Sequence, residues 1–316
     1  MDKSASYMPF FAAFGAVAAL SLMDAVMKGA SLAAGVYTAT LLRALIGAAI
    51  IAPIWAIRDF RVPSRAVMAL HLERGLVSAV MALSFFYALT KLPIAEAIAI
   101  SFVAPLLALY LARILLGETI PPRAILASLL GFVGMLVIVG GRIGQGEFDD
   151  QIALGLAALL FSALLYAYNF IIIRKQSQVA GPLEVATFHS GVGGIILVIF
   201  APWGWVTPDI ATWGAISIGA LLTVIAAMAL AWAYARAEAQ ALVPIEYSGF
   251  LWASLFGWLF FREEVTLVTI AGTALIVAGC WLATRGGAQA AKAPDDADGE
   301  LAGKLSQSTR KNPPAP

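Results

Sequence analysis

The residues of this chain that could do chemistry are the few ionisable ones that fall inside long apolar runs. A charge at the centre of a lipid-embedded helix costs about 3 kcal/mol or more on insertion scales, so each such residue needs a partner or a task. Arg43 lies well inside one run, and its planar guanidinium offers a donor fork suited to a carboxylate or another anionic group of a ligand. A structural ion pair, or a clamp on backbone carbonyls, fits the same position. Arg74 shares a stripe with His71 and Ser78 at i, i+3 and i+7, and is assigned to the ligand. His71 and Glu73 are expected to snorkel into headgroups. Glu246, two residues after Pro244, and Glu96, at the start of its run, could each take a proton or a cationic group, because burial favours the neutral carboxyl. Glu96 equally suits a solvated helix N-terminus. His189 is a proton-relay candidate, or a packing hydrogen-bonder. Glu246, His189 and Glu96 are thus the candidates for proton coupling. Asp24 and Lys28, at i and i+4, are expected to pair near the outer surface. Tyr87, Tyr166, Asn169, Trp232, Tyr247 and Trp252 could line a cavity and stack on a flat ligand; Tyr166 and Trp252 lie mid-span. The ligand-binding set is therefore Arg43, Arg74, Tyr166, Asn169, Glu246 and Trp252.

Other chemistries find no residues. There is no GxxxxGK[ST] phosphate loop, and the two histidines, His71 and His189, form no HExxH zinc helix. His189 and Ser190 are adjacent and so point to different helical faces. No catalytic residue, metal or cofactor is assigned. A polytopic membrane enzyme, and a channel or scaffold, stay as alternatives to a carrier.

The elements that must position these residues follow from composition. Of 316 residues, 61% are hydrophobic and 12% charged, where a soluble domain carries about 25% charged residues. Lipid must be the solvent. Ten runs are long enough, or nearly so, to cross the hydrocarbon core: 9–27, 35–57, 66–89, 93–116, 123–141, 152–173, 182–201, 212–234, 240–261 and 265–284. Their length without alternation means helices. The first lacks a strongly basic n-region, is followed by more spans, and is read as a retained helix rather than a signal peptide. A net charge of +1 offers nothing to nucleic acid, and the single cysteine, Cys280, excludes an internal disulfide.

The chain repeats itself. A shift of 145 positions lays Ala88 on Ala233, Lys91 on Arg236, Ile100 on Ile245, Glu118 on Glu263 and Gly134 on Gly279. Ala104, Ala108 and Ala112 meet Gly249, Ala253 and Gly257, and this small-residue stripe is expected to form a packing spine between the fourth and ninth helices. Of the polar stripes Ser21, Asp24, Lys28 and Ser162, Tyr166, Asn169, Ser21 overlies Tyr166 and Asp24 overlies Asn169 at the same shift. Five helices per copy is odd, so the second copy must be upside down. The expected fold is an all-α integral membrane protein, ten transmembrane helices as two inverted five-helix repeats at 8–145 and 150–285, with sites near the midplane. With the N-terminus inside, nine Lys and Arg fall on the inner side and four on the outer, which puts both termini in the cytoplasm. Residues 286–316 have too few apolar residues to fold and are expected to form a disordered cytoplasmic tail.

The strings FYALTKLPIAEAIAISFVAPLL, LLGETIPP and GFVGMLV, with AWAYARAEAQALVPIEYSGFLWA, FFREEVT and AGTALIVAG in the second half, resemble the EamA family of the drug/metabolite transporter superfamily. The likeness covers roughly 10–284. It implies a basket-like ten-helix inverted-repeat carrier with a central cavity for a small metabolite, acting by alternating access in the inner membrane. HLERGLVSAV with PIAEAIAISFVAPL is most similar to S-adenosylmethionine or riboflavin carriers, so the implied partner is an amino acid, riboflavin or S-adenosylmethionine-like metabolite. The lipid bilayer is the environment, and a homodimer stays open. One departure concerns the acidic turn, Gly117–Glu118 in the first copy and Arg262–Glu263 in the second; it is expected to alter the outer turn but not the cavity.

Overall fold

The computed structural model describes residues 7–117, 122–144, 149–176, 178–234, 236, 242 and 245–290, which are almost wholly helical with no strand among them. The helices are α1 (Met8–Ala34), α2 (Val36–Arg58), α3 (Arg65–Leu89), α4 (Ile94–Ser101), α5 (Ala104–Leu116), α6 (Pro122–Gly144), α7 (Asp150–Gln176), α8 (Pro182–Ile199), the single turn α9 (Ala201–Gly204), α10 (Ile210–Tyr234), α11 (Gly249–Phe261) and α12 (Leu267–Ala290). Eight spans are long and apolar enough to cross a membrane, α4 and α5 together making one of them. α11 and the apolar part of α12, Leu267–Leu282, are shorter. The protein is an all-α integral membrane protein. Glu118 and most of 286–316 lie outside the described residues, as do 237–241, where the ninth run was expected to begin.

The expected fourth helix is broken at Phe102 and Val103. Pro105 explains the break: it has no N–H for the Ser101 carbonyl, and its ring crowds that carbonyl. The second copy turns at Tyr247 and Ser248, the equivalent positions, although Phe250 stands where the first copy has Pro105. α11 begins and ends 145 residues after α5, at 249 against 104 and at 261 against 116.

Packing respects the same exchange of halves. α6 lies on α12 and α2 on α8; α1 on α10 is matched by α7 on α3, α2 on α10 by α8 on α3, and α1 on α11 by α7 on α5. Equivalent helices run antiparallel. Along α6 and α12, Gly141 meets Val268 at one end and Gly279 meets the Ala127 carbonyl at the other. Along α2 and α8, Gly181 approaches Asp59, Gly47 approaches Ser190, and the Tyr37 hydroxyl donates to the Leu197 carbonyl. Each copy is therefore inverted relative to the other.

The expected spine between the fourth and ninth helices is not where backbones come closest. α5 packs on α7 and α11 on α1, while α6 and α12 form the tight seam. A Cβ built on Gly134 would lie 2.5 Å from the Gly272 carbonyl oxygen, and one on Gly272 would lie 2.6 Å from the Gly134 carbonyl oxygen. Small residues allow such an approach where lipid supplies no hydrophobic drive between helices. Gly272→Val is expected to cost about 1–3 kcal/mol, read as a lower melting temperature in detergent. Gly140→Val is the control: it sits on α6 with nothing near its Cβ position, and is expected to melt as the wild type does.

Both acidic turns also share a backbone feature. Gly117 closes α5 at φ 71° and Arg262 closes α11 at φ 57°. Arg262 is the one non-glycine residue with positive φ among the described residues. The Gly-to-Arg departure thus puts a Cβ into the left-handed region, at a cost of roughly 1–2 kcal/mol. Arg262→Gly is expected to raise the melting temperature, even though it removes the guanidinium stacked 5.4 Å above Trp258.

Candidate functional site

Asp24 on α1 and Arg43 on α2 interact electrostatically across the middle of the bundle. Neither makes a hydrogen bond among the described residues, and the Arg43 Nε is buried without a partner. The guanidinium lies 5.4 Å from the Phe86 ring. From the other copy, Tyr166 on α7 and His189 on α8 face the same region. Tyr166 is within electrostatic reach of both Asp24 and Glu246, and His189 of both Arg43 and Arg74. Tyr166 keeps 39% of its surface accessible. The His189 Nδ1 is buried without a partner. Near the break before α11, the Trp252 Nε1 and the Ser248 Oγ are in the same state. The Trp252 ring packs 5.2 Å from Phe14 and 5.9 Å from Phe256. Unpaired buried donors and acceptors are costly and rare. Arg43 and His189 bring one from each copy, and Ser31, Trp55, Ser78 and Thr187 also hold buried side-chain atoms without a partner.

The sequence pairing of Asp24 with Lys28 does not form. Lys28 reaches the Leu92 carbonyl at 2.7 Å and pairs with Glu263, because α4 begins and α11 ends beside it while Asp24 turns inward. Glu263 also accepts from the Ile94 N–H at 2.8 Å. Alongside, the Arg142 Nε donates to Glu96 at 2.6 Å and the Thr269 hydroxyl donates to Glu96 at 3.3 Å. Glu96 is 5% exposed. It is therefore not a solvated helix N-terminus, and it lies in this end cluster, apart from the midplane residues. Glu96, Arg142, Glu263, Glu264, Thr266 and Thr269 line a cavity of about 360 Å³. Lys28–Glu263 joins the two copies at this end.

At the opposite end a second cluster joins the copies. The Arg74 Nε donates to the Asn169 Oδ1 at 3.3 Å, and its Nη1 donates to the Gln176 Oε1 at 2.9 Å. The Gln176 Nε2 lies 3.0 Å from the His71 Nδ1, and the His71 Nε2 lies 2.9 Å from the Glu184 Oε1. Phe188 stacks on the imidazole at 4.4 Å. Arg74 and Asn169, expected separately to bind ligand, are bonded to each other. His71 is 1% exposed and does not snorkel; the α3 stripe faces α7 and α8, which bring it polar partners. Glu73, one residue before Arg74, is exposed and accepts from the Tyr168 hydroxyl. Sequence reading missed Gln176 and the role of Glu184. The signal for Gln176 was available, since it lies at i+7 from Asn169 and extends the α7 polar stripe.

The family model described as the EamA-like transporter family matches residues 8–140 and again 153–285. The chain belongs to the EamA-like transporter family. This EamA-like transporter is similar to the pseudopaline exporter CntI of Pseudomonas aeruginosa, 25% identical over 261 residues that cover 82% of this chain and 90% of that one. It is also similar to a riboflavin transporter of Brucella anthropi, 24% identical over 221 residues, 66% of this chain and 73% of that one. A solved crystal structure superposes with a TM-score of 0.59 over 87% of this chain and 96% of that chain, at 21% identity; it shows the fold alone. Family, relatives and apolar helices agree that the molecule is a multi-pass membrane transporter.

Proposed function

We propose that this EamA-like transporter is a secondary carrier of the inner membrane that binds a small zwitterionic metabolite between its two copies. The observation that carries the reading is Asp24 and Arg43: opposite charges at one level, interacting, yet not satisfied by hydrogen bonds to each other or to neighbours. A ligand ammonium on Asp24 and a ligand carboxylate on Arg43 would satisfy both, with the Arg43 fork donating to two carboxylate oxygens. Tyr166 and Trp252 offer flat faces to the rest of the ligand, while Glu246, His189 and Arg74 lie within reach of the same space.

The carrier has ten spans, five in each of the copies 8–145 and 150–285, with both termini and the tail 286–316 in the cytoplasm. Alternating access is rocking of one copy against the other about the midplane site. Lys28–Glu263 and Thr269–Glu96 lock the outer end, and His71–Glu184 with Arg74–Gln176 lock the inner end. Opening either face breaks one set and keeps the other.

Counterflow into liposomes holding the full-length protein tests this, with radiolabelled amino acids, S-adenosylmethionine and riboflavin as separate probes. Saturable uptake of at least one zwitterion, recovered chemically unchanged, is expected. Uptake confined to riboflavin would sink the zwitterion site. Conversion of a probe without any gradient would make the protein an enzyme, and unsaturable flux would make it a channel.

A further inference from the structure

The cluster at the inner end of α3 has a protonation state that can be worked out from its donors. Arginine carries donors and no acceptor, so the Gln176 amide must turn its oxygen to the Arg74 Nη1. An amide orientation is ordinarily ambiguous; here Arg74 fixes it. The Gln176 NH₂ is then left facing the His71 Nδ1 at 3.0 Å. That group only donates, so Nδ1 must be a bare acceptor. The one remaining imidazole hydrogen is on Nε2, where it donates to Glu184. His71 is therefore neutral, in a single tautomer, and Arg74 dictates that state from two residues away along the network.

We propose that His71 is a proton-binding site whose occupancy sets whether Arg74 is tied to Gln176 or released toward the chamber. A proton from the aqueous phase adds to Nδ1, and no other covalent bond changes. Nδ1–H then opposes the Gln176 NH₂, donor against donor. Rotating the amide by half a turn restores that bond but presents NH₂ to Arg74, which loses its Nη1 contact and keeps only Asn169. The imidazolium forms an ion pair with Glu184. One cross-copy link, α3 to α8, tightens while the other, α3 to α7, loosens.

The groups facing His71 are Glu184 and Phe188 from α8, Gln176 from α7 and, through Gln176, Arg74 on its own helix. The charged residues Asp24 and Lys28 on α1, Arg43 and Arg58 on α2 and Glu96 on α4 have no hydrogen bond or ion pair with it among the described residues. The midplane groups His189 and Arg43 are where a released Arg74 adds its charge, since Arg74 already acts on His189. The consequence for flux rests on the carrier reading; the proton site itself rests on the hydrogen-bond geometry alone.

The chain has only two histidines, so nitrogen-15 histidine NMR of the full-length protein in nanodiscs resolves His71 once His189→Gln removes the other signal. At alkaline pH the Nε2–H tautomer is expected. On acidification it converts to imidazolium, and the Arg74 side-chain resonance, assigned by its loss in Arg74→Lys, moves in the same titration. Arg74→Met frees the amide and is expected to turn His71 into a mixture of tautomers. Gln176→Glu accepts from both neighbours and is expected to keep His71 charged where the wild type is neutral. An Nδ1–H tautomer in the wild type, or an Arg74 signal that stays still while His71 titrates, overturns the proposal. Should Arg74→Met fail to fold, Gln176→Glu alone decides, because an unshifted His71 titration there is incompatible with the relay. These spectra are read without any transported probe, so a failed proton site and a failed carrier reading are told apart.

Discussion

Lys28→Met is expected to lower stability by about 3–5 kcal/mol, the usual consequence of removing one member of a buried ion pair. Lys28 is 6% exposed and holds two acceptors, the Glu263 carboxylate and the Leu92 carbonyl. Without it, Glu263 keeps a charge away from bulk water with only the Ile94 N–H to stabilise one oxygen, and the Leu92 carbonyl loses a charged donor. Glu263→Gln is expected to cost less, since an amide oxygen can still accept from Ile94. The double variant Lys28→Met/Glu263→Gln is expected to recover a large part of the loss, because no uncompensated charge remains. Cys280 supplies the readout: it is the chain's single cysteine and is buried in the bundle, so thiol labelling during a thermal ramp reports unfolding. A double variant as unstable as Lys28→Met would mean that the pair is incidental and that Lys28 acts through Leu92 alone.

That pair also shows what the chain sequence could and could not disclose. Helix positions, the 145-residue shift and the inversion were legible, because apolar length and the identity of matched small residues are local properties of the string. Arg43 and His189 were legible as isolated costs in lipid and Tyr166 as a mid-span aromatic, and Arg43 is within electrostatic reach of His189 as Tyr166 is of Asp24. Partnerships were not legible. Asp24 and Lys28 stand one helical turn apart and look like each other's partner, yet one turns to the chamber and the other to α11. His71 has the spacing of an interfacial residue until α7 and α8 bring Gln176 and Glu184 against it. Glu263 was seen as half of an acidic turn, whereas in space it joins the first helix of one copy to the fourth helix of the other. Glu96 has the position of an exposed N-terminal carboxylate and acquires Arg142 only through the packing of α4 beside α6. Pro105 carries a signal for the helix break in the first copy that the unbroken run 93–116 left unused; no residue type carries it in the second, where Phe250 occupies the same place and the break follows from the repeat. What the string hides is which face of a helix meets which neighbour, and that depends on residues 46 to 235 positions away in these pairs.

Arg43→Gln is expected to remove transport of a zwitterionic probe while leaving the melting temperature at or above that of the wild type. The two halves of that expectation have one cause. Arg43 brings a guanidinium into the chamber without a hydrogen-bonded carboxylate among the described residues, so its removal relieves an uncompensated charge rather than breaking a satisfied pair. Asp24, left without its neighbour, can take a proton and become neutral. A site shaped for a ligand is commonly bought with stability in this way. Loss of the guanidinium from a buried charged contact weakens ligand binding by about 2–5 kcal/mol, which is roughly 30-fold or more in affinity. Asp24→Asn is expected to weaken the same probe while sparing ligands that have a carboxylate but no ammonium. In proteoliposomes the two variants should therefore differ in what they reject, although both melt as folded protein. Arg43 would instead be a structural residue if Arg43→Gln melted as early as Lys28→Met, and the site would lie elsewhere if its counterflow matched the wild type. Lys28 and Arg43 are both cations inside helices of one half; the first is expected to fail by unfolding and the second by ceasing to carry, because only the first has its hydrogen bonds supplied by the protein itself.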